Sequence, residues 1–239
     1  MRLYVAATGS AANTYVLSAE DGSSLILDAG APLKTVLPHI PDLRKVRGCL
    51  VTHEHADHAR HMEDYRLRGI RPIASLGTLQ ALGSDAEPVS AMQRLTLGDF
   101  AVLPFDVQHD AAQPLGFLVQ YIPTRETLVY ATDTYYLKFT FPGVHYWLME
   151  CNYCEDLIKQ DEMHEYHIRR LNESHMNLRR LKDALRANDL TEAVKIVLVH
   201  LSDRRSDEAR MVRDITELTG VDTVAADAGM TIDLNLIPF

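Results

Sequence analysis

Short apolar runs broken every few residues by Gly, Pro, Asp or Asn dominate the first half of the chain. Residues 3–7, 14–18 and 24–27 read as strands, the last two joined by the hairpin dipeptide Asp21-Gly22. A helix is expected over residues 32–40, because proline suits a first turn, and Cys49-Leu50-Val51 is short enough to be a buried strand. Strand and helix then alternate, with a helix at 59–68 stopped by Gly69, a strand at 72–75 and a helix at 76–82. The pattern returns to β at 94–97, 100–107, 116–122 and 127–130. Helical character over 155–188, interrupted near 172–174, precedes an apolar strand at 196–199, a helix at 206–218 and closing strands near 223–225 and 230–234. Strands and helices in two similar halves predict a layered α/β body, sheets inside and helices outside, in one domain over residues 1–239.

Composition narrows the class. With 46% hydrophobic and 24% charged residues the chain matches an ordinary globular protein able to bury a sizeable core. No apolar run approaches the ~18 residues of a membrane span, and the first residues lack a signal-peptide stretch, so a cytoplasmic protein with no membrane partner is expected. Three cysteines are an odd count that argues against a disulfide framework, and Cys151-x-x-Cys154, with no second pair, reads as buried or idle thiols. A net charge of -9 speaks against a generic nucleic-acid coat but leaves room for a local basic patch. Arg169, Arg170, Arg179, Arg180, Lys182 and Arg186, facing only Glu173 and Asp183, form such a stretch, readable as a solvated helix face or as a phosphate-tracking surface.

The chemistry concentrates in Thr52-His53-Glu54-His55-Ala56-Asp57-His58, where three imidazoles and two carboxylates crowd directly after a buried strand. Packing gives no reason for such crowding. Neutral imidazole and carboxylate are the usual ligands of zinc and related divalent ions, and a loop leaving a strand can turn alternate side chains toward one point.

The H-x-H-x-D-H spacing, with the later motifs in order, resembles the metallo-β-lactamase superfamily over nearly the whole chain. The resemblance implies a four-layer αββα sandwich, two mixed β-sheets flanked by helices. It implies a first metal on His53, His55 and His109, a second on Asp57, His58 and His200, and Asp133 bridging them. Asp28 matches an early aspartate that holds the metal loop rather than binding metal, and His61 is left over. Two divalent ions follow as cofactors, zinc the first choice and manganese an alternative for a site of nitrogen and oxygen only.

That superfamily hosts many chemistries, so flanking residues must choose among them. His55, where the oxygen-reducing members carry an acid, favours hydrolysis. Three features resemble the phosphodiesterase branch, in particular the transfer-RNA 3'-processing endonucleases and the WalJ/YycJ-like DNA exonucleases. In His200-Leu201-Ser202-Asp203-Arg204, Arg204 would meet a phosphate or else be a plain surface arginine. Glu150 and His175 match a dyad in which the carboxylate orients an imidazole that protonates the departing oxygen. The loop Thr8-Gly9-Ser10-Ala11-Ala12-Asn13 reads equally as an anion-cradling loop offering Ser10 and Asn13 to substrate and as a β-turn. The expected reaction is attack by a metal-bridging hydroxide, held in line by Asp57 and Asp133, on a phosphodiester of DNA, RNA or a small molecule. Hydrolysis of a lactone, ester or thioester is the enzymatic rival, and a non-catalytic metal-binding protein is the rival of another class.

Overall fold

The structure is a computed structural model that describes residues 1–158 and 165–236. The chain opens with an antiparallel meander of β1 (Arg2–Ala7), β2 (Thr14–Ser18) and β3 (Ser24–Leu27). It continues in parallel through β4 (Val46–Leu50) and β5 (Pro72–Ile73), after the short helix α1 (Leu33–Val36). Helices α2 (Ala56–Ala59) and α3 (Met62–Leu67) lie between β4 and β5, and α4 (Leu76–Ala81) follows.

The second half repeats the scheme. Strands β6 (Leu95–Leu97), β7 (Phe100–Asp106), β8 (Leu115–Tyr121) and β9 (Glu126–Ala131) pair antiparallel. Strand β10 (Tyr146–Glu150) adds in parallel to β9, and β11 (Lys195–Val199) follows after helices α5 (Glu155–Ile158), α6 (Glu165–Ser174) and α7 (Leu178–Arg186). Helix α8 (Glu208–Thr219) leads to β12 (Asp222–Ala225), parallel to β11, and β13 (Thr231–Asp233) returns to the edge of the first sheet beside β1. The result is a six-stranded and a seven-stranded mixed sheet.

Side-chain period explains the layering. Leu128, Tyr130, Val197 and Val199 point into a core shared with Leu3, Leu17, Leu25 and Leu27 of the other sheet. Their neighbours Val129, Ala131, Ile196 and Leu198 point the opposite way, against Leu181 and Leu185 of α7 and Met211 and Ile215 of α8. Ile26 packs outward from the first sheet with Val36, Met62, Tyr65 and Leu79. Strands buried on both faces need continuous apolar runs, which is why β9 and β11 show no alternation. Two sheets face to face with helices outside give the four-layer αββα sandwich. Among the described residues no helix is long and apolar enough to cross a membrane.

Several elements differ from the expectation for identifiable reasons. The helix expected over 32–40 is α1 plus a 3-10 turn at Leu37–His39, since Pro38 has no N–H for a continuing α-helix. The helix expected over 59–68 starts earlier and divides into α2 and α3, because the His61 N–H leaves the helical ladder to donate to the Ala29 carbonyl at 2.9 Å. Over 155–188 the break falls at residues 175–177, where the Asn177 side chain accepts from the Arg180 N–H and caps α7; residues 159–164 of that span lie outside the described residues. Strand β10 was not among the expected elements.

Candidate metal centre and active site

The conspicuous polar residues sit just past strand ends on one rim. Asp28 follows β3, His53 lies three residues past β4, and His109 lies three past β7. Asp133 lies two past β9, Glu150 ends β10 and His200 follows β11. The carboxyl ends of strands are where open α/β sheets leave a crevice. Among the described residues five non-glycine positions have positive φ, and three are here: Asp28 (58°), Asp133 (49°) and His200 (55°). Left-handed backbone costs about 1–3 kcal/mol per residue and persists where the surroundings enforce it, often at functional sites. Gly30 permits a tight crossing: a Cβ there would lie 1.9 Å from the Asp57 carbonyl oxygen and 2.7 Å from the Asn13 nitrogen.

The loops bring the seven candidate ligands together. Two groups of ligand atoms could each hold a metal ion, His53, His55, His109 and Asp133 in one, Asp57, His58, Asp133 and His200 in the other. In the first, His109 Nε2 lies 3.2 Å from His55 Nδ1 and 3.5 Å from Asp133 Oδ2, while His53 Nε2 lies 3.6 Å from that oxygen. In the second, His58 Nε2 lies 3.3 Å from Asp57 Oδ2 and 3.2 Å from Asp133 Oδ2, and His200 Nε2 lies 3.3 Å from Asp57 Oδ2 and from Asp133 Oδ1. Donors about 2.0–2.1 Å from one tetrahedral ion lie roughly 3.3 Å from each other, so these spacings fit the edges of coordination polyhedra. His53 Nε2 is buried and has no hydrogen-bond partner, as a nitrogen kept for a cation would be.

The second nitrogen of four of the five ligand imidazoles has a partner outside the cluster. His58 Nδ1 lies 2.8 Å from Asp28 Oδ2, and His109 Nδ1 donates to the Ser174 carbonyl at 2.9 Å. His53 Nδ1 meets Thr52 Oγ1 at 3.0 Å, and His200 Nδ1 meets the Asn152 amide at 2.9 Å. The Asp28 carboxylate and the Ser174 carbonyl, as acceptors, fix tautomer and ring orientation in the way metal sites require, whereas the Asn152 NH2 is a donor and only orients the His200 ring. Asp28 itself is fully buried and also accepts from the Thr52 N–H, the Thr52 hydroxyl and the Tyr130 hydroxyl. It holds the loop, as its motif implied.

Charge follows the surroundings of each ligand: burial would lower His58, but the Asp133 and Asp28 carboxylates beside it push its imidazole up. Burial pushes the His53 and His109 imidazoles down, leaving neutral rings with lone pairs to give. Burial would push Asp133 up, but the imidazoles of His200 and His58 outweigh it and hold the carboxylate well below its usual range. Asp57 is likewise lowered against its burial, by hydrogen bonds from His200 and His58.

Glu150 and His175 do meet. Glu150 is fully buried; its Oε1 lies 2.6 Å from His175 Nδ1, and its Oε2 accepts the N–H groups of Thr134 at 2.9 Å and Met176 at 3.1 Å. Burial lowers the His175 imidazole, yet the charge and hydrogen bond of Glu150 prevail and raise it to about 9. Glu150 and His175 also stand close to Asp133 and His200, but Glu150 is already engaged by three donors. His175 Nδ1 is committed to Glu150, so Nε2 is the nitrogen left to serve a ligand in the adjoining cavity of about 750 Å³, which His175 lines with Asp57, Asp133 and His200.

The candidate substrate contacts divide. Ser10 lines the cavity, whereas Asn13 is fully buried, exchanging hydrogen bonds with Gly9 and touching His58 Nε2 at 3.1 Å. Asn13 therefore shapes the loop instead of facing substrate. Arg204 is not among the cavity residues; its neighbour Arg205 is, because the turn after β11 presents the second arginine inward. The basic stretch is largely spent on ion pairs, Arg169 with Glu173, Arg179 with Glu155, Lys182 with Asp214 and Arg186 with Asp183. His61 pairs with Asp64 at 3.0 Å, away from the centre. Cys151 and Cys154 are buried free thiols, and Trp147 is core. Glu54 received no role from sequence, yet its Oε1 accepts the Ala112 N–H at 2.8 Å, tying the first histidine loop to the loop of His109.

Residues 25–201 match the beta-lactamase superfamily domain, and with this sandwich and this rim of ligands the chain belongs to the metallo-β-lactamase superfamily. Among curated proteins it is similar to the exodeoxyribonuclease YycJ of Bacillus anthracis, 27% identical over 172 residues. That match covers 65% of this chain and 64% of the relative, so the chain spans under two thirds of that protein's length. Among solved structures, the metallo-β-lactamase fold protein YhfI of Bacillus subtilis superposes with a TM-score of 0.74 at 16% identity, covering 97% of this chain and 98% of the other. The short form of human tRNase Z gives 0.67 at 14% identity, covering 98% of this chain and all (100%) of that one. At such identities these structures speak to the fold.

Proposed function

We propose that the chain is a dinuclear metal-dependent phosphodiesterase acting on nucleic acid. In this reading His53, His55 and His109 hold one divalent ion, Asp57, His58 and His200 hold the other, and Asp133 serves both. When bound, such a pair supplies an acidified water and neutralises charge developing on a phosphoryl oxygen. The chain's own contribution begins with Asp57, which lines the cavity and orients the attacking water. Glu150 then keeps His175 in the tautomer with its proton on Nδ1, so the charged ring carries a second proton on Nε2. His175 delivers that proton to the departing oxygen as the phosphorus–oxygen bond breaks. The general acid is what an unactivated alkoxide leaving group requires, and it contributes about 10²–10⁴ in rate where present.

The observation that carries this reading is the Glu150–His175 pair at 2.6 Å beside the ligand cluster. Similarity to an exodeoxyribonuclease supports the choice of nucleic acid. The test is a metal-defined assay of labelled DNA and RNA, bis-p-nitrophenyl phosphate, lactones and thioesters, with Asp57→Ala as control. Phosphodiester turnover that disappears in the control is expected. Turnover confined to carbon esters would overturn the proposal.

A further inference from the structure

We propose that the outer wall of the cavity is a second anion subsite, built by His167 and Arg170 of α6 and Arg205 of the loop after β11. It takes a phosphate other than the one being attacked. This rests on the phosphodiesterase reading and narrows it: the substrate is a chain with at least two phosphates, not an isolated small diester.

Helical spacing makes the wall. His167, Arg170, Leu171 and Ser174 stand at i, i+3, i+4 and i+7 of α6, and all four line the cavity. Arg169, on another face, is paired with Glu173 at 2.9 Å. Arg170 is thus the member of the basic stretch that reaches the cavity.

The wall is tied to the metal centre. Arg170 Nε donates to Asp110 Oδ2 at 3.0 Å, Ser174 Oγ donates to Asp110 Oδ1 at 2.9 Å, and the Ser174 carbonyl accepts from His109 Nδ1. A guanidinium has five N–H donors, so this bond orients Arg170 and leaves donors for a second anion. Arg205 is half-buried, and its carbonyl is anchored by the Cys154 N–H at 2.8 Å. A cavity of about 750 Å³ falls well within the ~300–1,000 Å³ that enclose whole ligands, so there is room beyond one phosphate group. The cavity also carries carboxylates: Asp57 and Asp133 belong to the ligand cluster and Asp110 is the partner of Arg170, so the outer wall offers an anion the remaining guanidinium donors of Arg170 together with Arg205 and His167.

The experiment compares Arg170→Ala, Arg205→Ala and the double variant with the unaltered protein on a single-stranded oligodeoxynucleotide and on bis-p-nitrophenyl phosphate, in metal-loaded protein. The double variant is expected to lose at least roughly tenfold more kcat/KM on the oligonucleotide than on the small diester, chiefly through KM. The slope of log kcat/KM against log salt should flatten by about 0.7 for each contact removed. Arg170→Lys with Arg205→Lys should recover part of the difference, and thermal midpoints separate lost binding from lost folding. Equal losses on both substrates, or an unchanged salt slope, would overturn the subsite while leaving the phosphodiesterase reading intact. Failure of the unaltered protein on both substrates would remove that reading and the subsite with it.

Discussion

Replacing Glu150 by Gln tests the proton-delivery step without emptying space. Oε2 accepts from two buried backbone donors, Thr134 N–H and Met176 N–H, while Oε1 faces His175 Nδ1 at 2.6 Å. A glutamine has one carbonyl oxygen for these two positions. Turning its NH2 toward the backbone would leave two buried N–H groups without acceptors, at about 1–3 kcal/mol each. The oxygen therefore stays at the Oε2 position, and the NH2 confronts His175 Nδ1. That nitrogen must become an acceptor, the ring's proton moves to Nε2, and the charged ring, which needs a proton on both nitrogens, is disfavoured. The imidazole held up to about 9 falls, and with it the group that protonates the leaving oxygen. The expected loss is about 10²–10³ in kcat on a nucleoside leaving group, from the ~10²–10⁴ that general acids supply. On bis-p-nitrophenyl phosphate, whose phenolate departs unaided, it should stay under roughly tenfold. Steady-state kinetics on both substrates, with metal content measured in parallel, reads the difference, and His175→Ala should reproduce it. Equal losses on the two substrates at unchanged metal content would refute the reasoning.

Three further outcomes follow. Gly30→Ala places a Cβ 1.9 Å from the Asp57 carbonyl and should destabilise the fold by several kcal/mol, about 3 or more, or displace the Asp57 loop; a thermal midpoint and activity both within error of the unaltered protein would contradict this. Glu54→Ala removes the acceptor of the Ala112 N–H and should weaken metal binding about 10–100-fold with Glu54→Gln nearer normal, which competition with a chromophoric chelator measures. The Lys182–Asp214 pair at 2.7 Å links α7 to α8, and its hydrogen bond holds the Asp214 carboxyl below its ordinary value. A depressed folded-state value means stability present above pH 3.8 and lost as pH falls through the lower folded value, so Asp214→Asn should cost about 0.5 kcal/mol at pH 7 and progressively less as pH falls below 3.8 in urea titrations.

What could be read from the sequence was what residue type and spacing dictate. His53, His55, Asp57 and His58 announce a metal loop by residue type and spacing alone, whereas His109, Asp133 and His200 joined them only through the resemblance to the metallo-β-lactamase superfamily, because a single histidine or aspartate after a strand carries no such mark. Strands β2 and β3 were legible to the residue because turn chemistry brackets them. Strand β10 was not, since Tyr-Trp-Leu-Met-Glu is buried throughout and so shows no alternation, and it holds none of the β-branched residues that mark β11, although Pro142-Gly143 stands just ahead of it. Turn geometry set the remaining limit. One residue of register in the loop after β11 decides between Arg204 and Arg205, and no periodicity reports it. Asn13 failed as a substrate contact for a related reason, because Gly9 and Asn13 bond to each other and draw the side chain inward. The basic stretch near His175 was visible as charge, but only tertiary contacts reveal that Glu155 and Asp214 neutralise part of it.

The most direct test is a count of bound ions. Protein stripped with chelator, reloaded with zinc or manganese and desalted should retain about two equivalents per chain by mass spectrometry of the metal, and Asp133→Ala should fail to hold the pair. A folded protein that retains no metal under any loading condition would contradict the account at its root.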